Sequence, residues 1–301
     1  MGDSIKAQAP DRIPMGVLLV LAVGVVALSQ SGNLIRISDA HPVAMAAWRL
    51  LFAGAMFLPF AGRGLRQVWT LDLEDKGWLT LASAALFLHF FVWIAAVQNT
   101  TVANAVIVIS INPVFTALLS HFVFGEVITK KLIVSILLGI AGVTFVGWND
   151  LALDAGHLKG DGLAILASLI FTFYLLVGKR LRSKLDTPVY VSSMYLIAAA
   201  FGFLTVCILD IPVVDYGARD WLCFFLMALI PTMIGHTALN NALRHMGAGR
   251  VSVAVLMEPL LAGIVAYFAW NEAMTPLALI GYVIIAASVV VITLELKPGR
   301  S

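Results

Sequence analysis

Apolar runs of membrane-spanning length recur along this chain, separated by short polar clusters. They lie near 13–34, 42–60, 77–97, 101–124, 131–148, 160–178, 188–209, 219–241, 249–270 and 276–295. A helix rises roughly 1.5 Å per residue, so about 20 apolar residues cross the hydrocarbon core of a bilayer. The pattern therefore predicts ten transmembrane helices. His41-Pro42, Thr187-Pro188 and Thr275-Pro276 place a proline at a helix start, where its missing amide is not needed. Polar clusters such as LDLEDK and KRLRSKLD read as the gaps between helices.

Composition agrees with lipid as the main solvent. The chain is 61% hydrophobic and 12% charged, with a mean hydropathy of +0.97, whereas soluble domains carry roughly 25% charged residues. The net charge of +2 and the lack of a long basic run give no reason to expect nucleic acid as a partner. Cys207 and Cys223 both sit in apolar runs, which predicts neither a disulfide framework nor a metal site, and no cofactor is expected. Ile13 to Leu28 could be taken for a signal peptide. The repeat described below gives this segment a mid-chain counterpart, so it is read as a retained span.

Charge then orients the chain. The N-terminus and every second loop after it hold all but four of the 19 basic residues. Arg36, Lys159 and Arg219 fall on the other side, and Arg49 lies within the second span. The positive-inside rule places the basic side, with both termini, in the cytoplasm of a cell (inner) membrane.

One sequence offset relates the two halves. AVLMEPLLAG (254–263) echoes VISINPVFTA (108–117), and Pro113 plus 146 is Pro259. The same 146 pairs Glu126 with Glu272, Thr129 with Thr275, Gly16 with Gly162, Arg36 with Arg182 and Pro42 with Pro188. Each half has an odd number of spans, so the second half enters the membrane from the opposite side. The predicted domains are a first five-helix repeat over 13–148, an extracytoplasmic connector over 149–159 and a second five-helix repeat over 160–295. Inverted repeats of this kind build secondary transporters with the solute site near the midplane.

NPVFTALLSHFVFGE followed by LLGIAGV, its echo EPLLAGIVAYFAWNE followed by IGYVIIAASV, and the second-span WRLLFAGAMFLPF resemble the paired signature of EamA-type proteins of the drug/metabolite transporter superfamily. The resemblance covers nearly the whole chain. It implies an all-α integral membrane fold, ten transmembrane helices in two inverted five-helix repeats around a central cavity, and alternating access. Within the family the chain is similar to the YddG-like aromatic amino acid exporters.

The candidate site residues are those that a lipid-facing helix would reject. Glu258 lies about 12 Å into the ninth span by helical rise and is read as a ligand for a substrate ammonium group, a proton carrier, or a structural glutamate. Its counterpart is Asn112, so the two halves differ in charge here. Pro113 and Pro259 cannot donate to Ile109 and Val255, and are read as paired hinges. Arg49, about 10 Å into the second span, suits a substrate carboxylate or the carbonyl end of another helix, and its counterpart is Tyr195. His89 and Trp93 share a helix face and suit an aromatic or amphipathic solute. Polar stripes at four-residue spacing run through Asn104, Asn112, Thr116 and Ser120, and through Thr232, His236, Asn240 and Arg244. They suit either interhelical hydrogen bonds or solute contact. Glu126 and Glu272, each three residues before a threonine, are read as structural helix ends. The substrate-binding set is Arg49, His89, Trp93, Asn112, Tyr195, Asn240 and Glu258.

The leading expectation is a secondary transporter exporting small amphipathic metabolites, aromatic or neutral amino acids above all, working in the lipid bilayer as a monomer or homodimer. No Walker motif points to ATP, and no HExxH or GxSxG motif points to an enzyme. The alternatives are a sugar-phosphate or nucleotide-sugar antiporter, disfavoured by Arg49 being the one deep cation, and a membrane solute-binding protein that does not transport.

Overall fold

The computed structural model describes residues 13–100, 102–148, 158–182, 184–270, 274–294 and 298–299, without the side chains of 102–104, 106, 266, 269, 270, 298 and 299. Ten apolar helical spans fill it. The first to third are Met15–Ile35, Pro42–Thr70 and Leu73–Asn99; the fifth to eighth are Lys130–Gly147, Leu158–Arg182, Thr187–Ile208 and Ala218–Ala242; the tenth is Pro276–Thr293. The fourth and ninth are each broken into two half-helices, Val102–Ile109 with Asn112–Phe124, and Ala248–Val255 with Glu258–Trp270. Residues 13–14 pair with residues 298–299, so the two ends of the chain lie on one side. Asn104's side chain, Glu272 and most of the 149–159 connector lie outside the described residues.

Two boundaries differ from the sequence reading for the same reason. LDLEDK is not a gap: Asp72 caps the third span by accepting the Asp75 amide at 2.7 Å, and Glu74 and Asp75 occupy its first turn. Acidic side chains there favour the helix dipole. The sixth span likewise runs on through Lys179, Arg180 and Arg182, cations in the last turn where the dipole favours them. Thr129 and Thr275 do cap the fifth and tenth spans, accepting the Leu132 and Ala278 amides.

The spans pack as an inverted repeat requires. The second lies along the seventh and the fifth along the tenth, while the third pairs with the sixth as the eighth pairs with the first. The fifth–tenth contact shows the symmetry at atomic detail. A Cβ on Gly142 would sit 2.8 Å from the Gly281 carbonyl, and one on Gly281 would sit 2.5 Å from that of Gly142. The offset turns this pair into Ser288 and Ser135, and Ser288 donates to the Ser135 carbonyl at 2.8 Å. Small residues bring both crossings to backbone contact, as in other membrane helix pairs. Large apolar side chains such as Leu19, Phe122 and Val283 stay exposed on the perimeter, where lipid replaces water as their solvent.

Candidate functional site

The two helix breaks define the middle of the molecule. Pro113 and Pro259 each stand second in a half-helix that begins at Asn112 or Glu258. Neither has an amide to continue the ladder from the preceding half. The chain tightens there into three-residue turns, Ile111 donating to the Val108 carbonyl at 3.3 Å and Leu256 to that of Val253 at 3.1 Å. The breaks fall at 110–111 and 256–257, which 146 relates. Each exposes the amide-rich start of a half-helix inside the membrane, a common way to build a polar site there.

A cavity of about 630 Å³, mouth included, lies between the breaks. Arg49, His89, Trp93, Asn112, Pro113, Glu258 and Pro259 all line it. Phe90 and Phe171 complete an aromatic wall, and Ser110, Ser252 and His236 add polar edges. Tyr195 and Asn240 are not at the wall. They are fully buried behind it, Tyr195 donating to the Thr232 carbonyl at 3.3 Å and Asn240 donating to the His236 carbonyl at 2.8 Å and to the Tyr174 hydroxyl.

Arg49 is the cation of the wall among the described residues. It is 1% exposed. Its Nε donates to Thr232 Oγ1 at 2.5 Å and its guanidinium carbon lies 3.7 Å from the Phe90 ring centroid, while Nη1 has no partner among the described residues. A buried guanidinium donor left unmade is costly unless a ligand completes it. Thr232 sits in a π-helical stretch of the eighth span, Ala228–His236, that contains Pro231. π-Turns are frequent at functional sites because they re-aim side chains.

His89 hydrogen-bonds through Nδ1 to the Ala167 carbonyl at 3.0 Å, which requires the hydrogen on Nδ1 and leaves Nε2 as an acceptor. His236 stacks edge-on against Phe90 with centroids 4.8 Å apart, and its Nδ1 has no partner among the described residues. Position 90 plus 146 is 236, so this contact lies on the pseudo-two-fold axis. The sequence reading placed His236 in a polar stripe without choosing it; the offset from Phe90, next to His89, is the signal that marks it. Asn112 reaches the cavity with its amide already engaged, donating to the Ser168 carbonyl at 3.0 Å and Thr172 Oγ1 at 2.7 Å and accepting from Thr116 at 3.1 Å. Glu258 makes no hydrogen bond among the described residues, and it faces the cavity that Arg49 faces. The arrangement offers a cationic donor, a carboxylate and aromatic faces around one space. Among the described residues no cluster of His, Cys, Asp and Glu could hold a metal ion.

Comparison with known proteins supplies the wider frame. The profile of the EamA-like transporter family matches residues 14–148 and again 158–294. An uncharacterized transporter of Archaeoglobus fulgidus is 27% identical over 245 residues, 81% of this chain and 83% of that protein. A probable 4-amino-4-deoxy-L-arabinose-phosphoundecaprenol flippase subunit, ArnE, of Pseudomonas fluorescens is 40% identical over 68 residues, 23% of this chain and 60% of that protein. A crystal structure aligns with a TM-score of 0.80 over 94% of this chain and 98% of its own, at 20% identity, which shows a shared fold.

Proposed function

Because this chain belongs to the EamA-like transporter family, a family of multi-pass membrane transporters, we propose that it exports small amphipathic metabolites, aromatic or other neutral amino acids above all, by alternating access. The observation that carries this reading is the pairing of unlike groups on one cavity. Arg49 Nη1, a donor without a partner among the described residues, suits a carboxylate, and Glu258 is a carboxylate suited to an ammonium group. Phe90, Trp93 and Phe171 provide the apolar and aromatic surface between them. A zwitterion with an apolar side chain uses all three.

A phosphate-bearing solute fits less well. Phosphate recognition draws on several converging cations, and among the described residues Arg49 is the one Arg or Lys on the cavity wall. The basic side of the molecule is taken as cytoplasmic. The test is counterflow of labelled phenylalanine into proteoliposomes. Uptake driven by internal unlabelled phenylalanine is expected. Quenching of tryptophan fluorescence by phenylalanine without any flux would instead make this a solute-binding protein, and absence of both would remove the amino acid reading.

A further inference from the structure

On the basic side, one carboxylate after the fourth span ties it to two spans of the other half. Glu126 follows the fourth span directly after Gly125, whose φ of +67° ends the helix. Its Oε1 pairs with Lys179 Nζ of the sixth span and accepts the amide of Ala248, the first residue of the ninth, at 3.4 Å. Its Oε2 accepts from Ser120 at 3.2 Å. Lys179 also lies 5.5 Å from the Phe124 ring centroid. Gly247 makes room, since a Cβ there would come within 2.5 Å of Oε2. The two charged side chains are 14% and 21% exposed, so water screens this pair less than an open surface pair.

The packing beside the cluster is one-sided. Asn112–Phe124 lies against Ala248–Val255, and a Cβ on Gly249 would be 3.4 Å from that of Ala117. The symmetry-related segments, Val102–Ile109 and Glu258–Trp270, make no comparable contact among the described residues. A molecule closed equally at both ends would show both contacts. We propose that Glu126, Lys179 and the start of the ninth span form a latch. It holds the fourth and ninth spans together on the basic side and releases when the cavity opens there. The sequence marks Glu126 as the end of a helix; the structure gives it a partner on each of two spans of the other half.

Sidedness of access tests the latch without reference to any solute. Ser110 lines the cavity. Ser110→Cys, with Cys207 and Cys223 changed to serine, is labelled in proteoliposomes by a membrane-impermeant maleimide applied from each side. Glu126→Gln and Lys179→Met should raise labelling from the basic side about tenfold, as when a minor state of a few per cent becomes a major one. Unchanged sidedness in both single variants would overturn the latch. If those variants fail to fold, Ala117→Cys with Gly249→Cys gives a second reading, because its Cβ separation suits a disulfide. Oxidation should abolish labelling at position 110 from the basic side, read by peptide mass so that the freed thiols at 117 and 249 do not count, and reduction should restore it; labelling at 110 that persists through the closed disulfide counts against the proposal. Loss of phenylalanine counterflow with this sidedness intact would refute the solute and leave the latch standing.

Discussion

The two helix breaks share a backbone and differ in chemistry. Each has a tight turn, then a polar residue, then a proline, at positions that 146 relates. In the first half the polar residue is Asn112, whose amide is consumed by Ser168, Thr172 and Thr116. In the second it is Glu258, which makes no hydrogen bond among the described residues and faces the cavity. The same divergence runs around the wall. Arg49, His89 and Trp93 of the first half correspond to Tyr195, Gly235 and Leu239 of the second. Proline fixes where the helix breaks, because a missing amide acts the same way in either half. The side chains beside it are free to differ, so the first half supplies the cation with Phe90 and Trp93, and the second supplies the carboxylate with Phe171.

The strongest way to break this comparison is to make the halves alike. Asn112→Glu would set a carboxylate against the Ser168 carbonyl in a site whose donors now serve an amide. A buried charge without its partner costs about 3–5 kcal/mol, so thermal stability in detergent should fall sharply, whereas Glu258→Asn should leave it nearly unchanged. Next in size, Arg49→Gln removes a buried charged donor. A loss of about 2 kcal/mol, near thirtyfold, is expected in the half-saturation for phenylalanine counterflow. Glu258→Gln should cost about tenfold in the same assay, close to 1.4 kcal/mol. If that variant transports normally at every pH, Glu258 serves structure alone. The smallest effect belongs to the fifth–tenth contact. Ser288→Ala removes the bond to the Ser135 carbonyl and should lower stability by about 0.6 kcal/mol, with flux unchanged.

Periodicity and the fixed offset made the ten spans, the inverted halves and the paired prolines legible before any coordinates. They did so because lipid demands long apolar helices and a duplication leaves its spacing behind. The polar stripe on the eighth span contains both His236 and Asn240, and spacing alone does not say which of them reaches the cavity. His236 lines the cavity, while Asn240, one turn on, is held behind it by its bonds to the His236 carbonyl and the Tyr174 hydroxyl. Tyr195, the counterpart of Arg49, has its hydroxyl engaged with Thr232 and Thr237 behind the wall. Glu126 was legible as a charge at a helix end. Its partners, Lys179 and the Ala248 amide, depend on which helices pack together, and local spacing does not encode that.

The most direct measurement compares three solutes on three proteins: phenylalanine, its amide and its N-acetyl derivative, bound to wild type, Arg49→Gln and Glu258→Gln, followed by quenching of tryptophan fluorescence. The account predicts that wild type binds phenylalanine tightest. Arg49→Gln should lose its preference for phenylalanine over the amide, which lacks the carboxylate. Glu258→Gln should lose its preference for phenylalanine over the N-acetyl derivative, which lacks the ammonium group. If both variants rank the three solutes as wild type does, Arg49 and Glu258 do not contact the two ends of the solute, and the division of chemistry between the halves is wrong.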